Sequence, residues 1–153
     1  MTTPSTANEA TNQETVKTQL VSKVDVAAGG NSWALGKIYS TSPSAGVGYA
    51  TGAGSTVAQG SSRTTGVTIN AVCGQITLVS AAGSTTAASF TVTNSSVAAT
   101  DAVLVWQVSG TDKYDLSVTF VLDGSFEITS RTYAGTTTET PVFGFIVLKA
   151  VTS

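Results

Sequence analysis

The residues in this sequence best suited to chemistry are four aspartates, one cysteine, a glycine-lysine pair and a few aromatics. Asp101, Asp112, Asp115 and Asp123 fall at the ends of apolar runs. Two carboxylates flanking a sugar could cleave it, and several converging oxygens could hold calcium. Aspartate also favours turns, because its side chain accepts hydrogen bonds from nearby amides, and that accounts for all four without a substrate. Gly36-Lys37 follows Gly30 at one residue more than the phosphate-loop spacing. Ile38 stands where a Mg²⁺-binding hydroxyl belongs, and Trp33 would crowd a loop that wraps phosphate with backbone amides. Gly46, Gly48, Gly52 and Gly54 miss the dinucleotide spacing and follow no apolar strand.

The chain has no histidine, which removes Ser-His and Cys-His catalysis and the commonest zinc sites. Cys73 has no basic neighbour in sequence to lower its pKa, and a Ser-Lys pair has no surrounding motif. Asn94-Ser95-Ser96 fits a glycosylation acceptor, but Met1 to Gln19 lacks the apolar run of a secretory signal, so it is read as a turn. Trp106, flanked by Val105 and Val108, is read as core. No catalytic, cofactor-binding or metal-binding residue is expected, and therefore no cofactor.

The elements behind these residues are strands. Charged residues make up only 10% of the 153, far below the roughly 25% of an ordinary soluble domain, and serine and threonine supply most of the polar surface. That composition suits strands and turns better than helices. A net charge of −2 gives no basic field for nucleic acid or anionic lipid. No run of about eighteen apolar residues is present to cross a membrane. One cysteine cannot form an internal disulfide, which fits synthesis in a reducing cytoplasm.

The chain divides near residue 60. Residues 1–60 form an arm and a Gly/Ser/Thr-rich linker. Val16, Leu20, Val21 and Val24 allow a short helix there, and Trp33, Leu35, Ile38 and Tyr39 form an apolar patch. Residues 61–153 carry period-two runs: Val67, Ile69 and Ala71; Ile76 and Leu78 after a turn at Cys73-Gly74; Ala88, Phe90 and Val92; Leu116, Val118, Phe120 and Leu122; Phe126 and Ile128. Asp123-Gly124 between two such runs predicts a hairpin. About seven strands at spacings of roughly 8–12 residues predict an all-β, antiparallel β-sandwich, jelly-roll or Ig-like, behind an extended N-terminal arm. Two runs, Ala102 to Val108 and Val142 to Ala150, are apolar on both faces. Such strands need cover on two sides, which predicts an oligomer.

Several stretches recur together in one known family. SSRTTGVTINAVCGQITL, FTVTNSSVAATDAVLV, GSFEITSRTYAGTTTETPVFGFIVLKAV and the lead-in GYATGAGSTVAQ resemble tailed-bacteriophage structural proteins over Gly48 to the C-terminus. The resemblance implies a virion component without enzymatic residues, found among capsid-associated proteins and at the ends of fibre-like proteins. A short arm before one compact module, without heptads or fibrous repeats, fits a capsid decoration (cement) protein. On that view the β module forms a homo-oligomer, a trimer, through Val103, Val105, Trp106, Phe143, Phe145 and Val147. The arm anchors to the major capsid protein through Trp33, Leu35, Ile38 and Tyr39, on the capsid surface of a virion assembled in the host cytoplasm. The alternative is a tail-fibre or head-fibre tip that binds a receptor or glycan through Trp106, Tyr114 and Tyr133. A hydrolase built on Asp112 and Asp115 ranks third.

Overall fold

The computed structural model describes residues 48–150. Trp33, Leu35, Ile38 and Tyr39, and the helix expected before them, lie outside the described residues. Ten strands follow in order: β1 (Gly54–Ala58), β2 (Val67–Thr68), β3 (Cys73–Thr77), β4 (Ala81–Ala82), β5 (Ala88–Thr93), β6 (Ala102–Ser109), β7 (Tyr114–Leu122), β8 (Ser125–Thr132), β9 (Thr138–Glu139) and β10 (Val142–Leu148). Sheet I has the order β1-β3-β10-β6 and sheet II the order β2-β5-β8-β7, while β4 and β9 form a separate two-stranded ribbon. The protein is an all-β sandwich, as its alternating runs predict.

One layer of side chains joins the two sheets. Ile76, Phe143, Phe145 and Val147 come from sheet I, and Phe90, Val92, Phe126 and Ile128 from sheet II; all are buried. Phe126 and Phe145 meet across the layer with ring centroids 5.3 Å apart, and Tyr114 meets Phe143 edge-on at the same distance. Such pairs add to the roughly 1.5–3 kcal/mol that each large apolar side chain gains on burial.

Pairing is antiparallel in the middle of each sheet and parallel at one edge, where β1 joins β3 and β2 joins β5. Only β7 and β8 are consecutive within a sheet; every other step between sandwich strands crosses to the opposite sheet. The order therefore departs from the Ig arrangement, which places several consecutive strands side by side.

Four details differ from the pattern read in the sequence. β1 lies inside the stretch read as linker. Its Val57 turns inward against Ile76, and the β3 backbone supplies its ladder, so one apolar side chain suffices for an edge strand. Cys73-Gly74 opens β3 instead of making a turn. The Asp123-Gly124 hairpin is present, but only Gly124 takes a positive φ, 79°. A bulge after Val118 shifts the β7 register, so Leu116, Val118 and Val121 pack toward the core while Phe120 and Leu122 face out.

The shared layer sets the stability. Phe145→Ala is expected to cost about 3–5 kcal/mol, read as a lowered urea midpoint with an unchanged slope. A loss below about 1 kcal/mol would contradict the assignment of Phe145 to a close-packed core.

Candidate functional site

The aspartates singled out in the sequence are each occupied. Asp112 is buried, and its Oδ2 accepts from the Thr137 amide at 2.9 Å. Its carboxylate fills the space above Gly83 and Gly135, where a Cβ would stand 2.3 Å and 2.2 Å from its atoms. Asp115 pairs with Arg131 at 3.0 Å on the surface. Asp123 accepts from the Ala99 amide at 2.8 Å. Asp101 accepts from the amides of Ala98 and Ala150 and from Lys149, whose ammonium also donates to the Ser96 carbonyl. These contacts fasten loops to strand ends. The third reading, hydrolysis on Asp112 and Asp115, finds both carboxylates committed to other groups. Among the described residues no three His, Cys, Asp or Glu side chains are placed to hold a metal ion.

One polar cluster escaped the sequence reading. The Arg63 guanidinium donates to the carbonyls of Val79, Ala81, Ala82 and Glu139 and to the Tyr114 hydroxyl, with distances of 2.5–3.4 Å. Glu139 accepts from the amides of Thr111 and Asp112 and from the Tyr114 hydroxyl. Arg63 sits in a serine- and threonine-rich turn with no sequence pattern to mark it. Burial pushes the Tyr114 hydroxyl pKa up, partly offset by Arg63. Burial also pushes the Glu139 carboxyl up, but the amides of Thr111 and Asp112 and the Tyr114 hydroxyl outweigh it, so the net shift is downward. The Lys149 hydrogen bond and the Ala98 amide hold Asp101 below its usual range, against the effect of burial.

The two outer faces of the sandwich differ. On sheet II, hydroxyls and charges pair with one another beside the exposed Phe120 and Leu122. Ser89 meets Thr129 at 2.7 Å, Thr119 bonds to Thr129 and donates to Glu127, and Arg131 pairs with Asp115. On sheet I, register places Gly54, Thr56 and Ala58 of β1 beside Cys73, Gln75 and Thr77 of β3. Next come Val142, Gly144, Ile146 and Leu148 of β10, then Ala102, Leu104 and Trp106 of β6. Among the described residues no charged side chain lies on this face. Leu104 is 54% exposed, Trp106 46% and Leu148 46%. Val108, at a one-residue bulge near the end of β6, is also exposed.

The residues expected to meet another subunit divide on this geometry. Phe143, Phe145 and Val147 are fully buried within the subunit's own core, because their side of β10 faces sheet II. They are therefore removed from any outer contact. Val103 and Val105 are half-buried and pack against the same core. Trp106 alone of the six stands outward, joined by Leu104 and Leu148, which the sequence reading did not single out. The apolar character of the outward side chains hid the alternation; Trp106 two residues after Leu104 was the available signal.

Gly144 gives Trp106 its seat. A Cβ at Gly144 would lie 2.5 Å from Cε2 and 2.6 Å from Cζ2 of the indole, so the ring lies against the bare backbone of β10. Of the aromatics expected to contact a glycan, Tyr114 is buried against Phe143, while Tyr133 is 62% exposed with Lys113 Nζ 5.3 Å from its ring centroid. No family model, curated protein or solved structure matches the chain.

Asp101 and Glu139 both have lowered pKa values when folded. Their contribution is therefore complete above the unfolded carboxylate range and is lost as pH falls through the folded values. The urea midpoint is expected to fall between about pH 6 and about pH 3. Asp101→Asn should lower it at neutral pH and make the acid decline shallower. A wild-type midpoint that stays level across that range would contradict the fastening role.

Proposed function

We propose that this chain is a non-enzymatic structural protein of a tailed-bacteriophage virion, acting as a capsid decoration protein. The observation that carries the reading is a contrast in charge between the two outer faces: sheet II carries hydroxyls and an ion pair beside the exposed Phe120 and Leu122, while sheet I, among the described residues, is uncharged and partly apolar. A sandwich with one uncharged, partly apolar face suits a module that associates with further protein, since exposed apolar patches mark interaction surfaces. Commitment of the aspartates to backbone amides and ion pairs supports a scaffold role over acid-base chemistry. The resemblance of Gly48 to the C-terminus to virion structural proteins supports the setting.

In this function the sandwich self-associates, as a trimer, and residues 1–47 bind the major capsid protein. Ordering an extended segment costs about 1–2 kcal/mol per residue. Burial of Trp33, Leu35, Ile38 and Tyr39 against the shell would offset that cost. Many copies on one particle would multiply modest contacts through avidity.

Quantitative mass spectrometry of purified particles should count this protein in a fixed ratio to the major capsid protein, at tens of copies or more, on the order that avidity over a shell requires. Fewer than about a dozen copies would contradict a decoration role.

The fibre-tip reading rests on Tyr133, which projects from the end of β8 beside Lys113. Exposed aromatics on loops are suited to stacking on sugars. If this reading holds, the isolated protein binds host cells and Tyr133→Ala weakens that binding about tenfold or more, a loss of roughly 1.4 kcal/mol. Equal binding by both proteins would contradict it.

A further inference from the structure

We propose that a second copy of this chain docks on the outer face of sheet I, centred on Leu104 and Trp106 of β6 and Leu148 of β10, with the free edge of β6 inside the contact. The inference rests on the self-association stated above and gives it a surface different from the one the sequence predicts.

β6 ends sheet I and, among the described residues, pairs only with β10. Among the described residues nothing pairs with the amides and carbonyls of its other side. Edge strands are commonly protected by charges, proline, bulges or short length. β7, the edge of sheet II on the same flank, carries Asp115 and a bulge, and β2 has only two residues. β6 runs AVLVWQVS, with no charge and no proline, and its one bulge, at Val108, leaves six residues of regular pairing from Ala102 to Gln107. A strand left this open is a template for another chain.

Charge chooses the occupant. The described residues include charged side chains of both signs, among them Arg63, Asp115, Glu127 and Arg131, yet none of the described ones projects from the outer face of sheet I. A charged partner surface would lose hydration here and gain no counter-charge. A surface equally free of charge loses nothing, and the described residues supply one: this same face. Two copies can meet there despite like net charge, because the charges of sheet II lie on the opposite side of each sandwich.

The size is adequate when the edge is included. From their fractional exposures, Leu104, Trp106, Val108 and Leu148 leave roughly 400 Å² of apolar surface, about half of what each partner gives to a standard interface. The β6 backbone edge, the exposed Thr56 and Gln75 and the half-buried Cys73 and Ile146 extend the contact beyond it. Trp106 is the natural anchor. Its ring is seated on Gly144 before any partner arrives, so little side-chain entropy remains to be lost on association.

The test is sedimentation velocity on the full chain from about 0.1 to about 100 µM, with Leu104→Lys and Trp106→Ser as surface variants. Phe120→Ser, on the outside of sheet II, serves as the control. Both altered residues of sheet I are half-exposed, and matching circular dichroism and thermal unfolding verify the fold. The wild type and the control are expected to associate, and each sheet I variant to raise the association midpoint tenfold or more. Association unchanged in both variants would overturn this surface while leaving self-association standing. A wild type that stays monomeric throughout, with the Cys73 thiol reacting as an open thiol, overturns both. A monomer whose Cys73 is shielded overturns the second copy in favour of the chain's own N-terminal residues as the cover. Association abolished by a soluble glycan that binds Trp106 overturns it in favour of a sugar site.

Discussion

Two sheets share a single layer of side chains, and this sets which side of every strand faces out. Phe90, Phe126 and Ile128 from one sheet and Ile76, Phe143 and Phe145 from the other form the centre of that layer. A strand has two sides, and a two-layer sandwich of this size hides only one. Whatever the other side carries must face water or another molecule. On sheet II the other side carries threonine, serine and an ion pair beside Phe120 and Leu122. On sheet I it carries leucine, tryptophan and glycine beside threonine and glutamine, with no charge among the described residues.

The polar groups inside the subunit serve that same layer from its ends. Arg63 gathers four backbone carbonyls, three of them on the β4–β9 ribbon, and its partner Tyr114 closes one end of the core with a ring against Phe143. Asp101 and Lys149 close the other end, where β10 finishes beside the loop before β6. An unpaired buried donor or acceptor would cost about 1–3 kcal/mol, so each fastening removes a penalty more than it adds a bond. Catalytic-looking residue types are thereby spent on architecture.

Much of the sandwich was legible in the sequence because alternation survives wherever one side of a strand is polar. Phe90 and Val92 alternating with Ser89, Thr91 and Thr93, and Phe126 and Ile128 around Glu127, announce their inward side directly. Three kinds of information were not legible. β1 has one inward apolar residue and is held by pairing with β3, a non-local contact that composition does not record. The bulge after Val118 reverses the inward side within one run, and no residue type marks it. On β6 and β10 both sides are apolar, so the sequence showed that something must cover the outer side but not which residues form it. Phe143, Phe145 and Val147 were assigned outward on that account, and the register turns them inward.

That outer side is where the account is most exposed. If copies of the chain meet along β6, its edge amides must leave solvent when they do, and hydrogen exchange reads those amides directly. Exchange of the peptide spanning Ala102 to Ser109 should slow by an order of magnitude or more as protein concentration rises through the association range, while β7 peptides change little. Exchange of that peptide at one rate across all concentrations would contradict the account, because the free edge of β6 would then face water in every state of the protein.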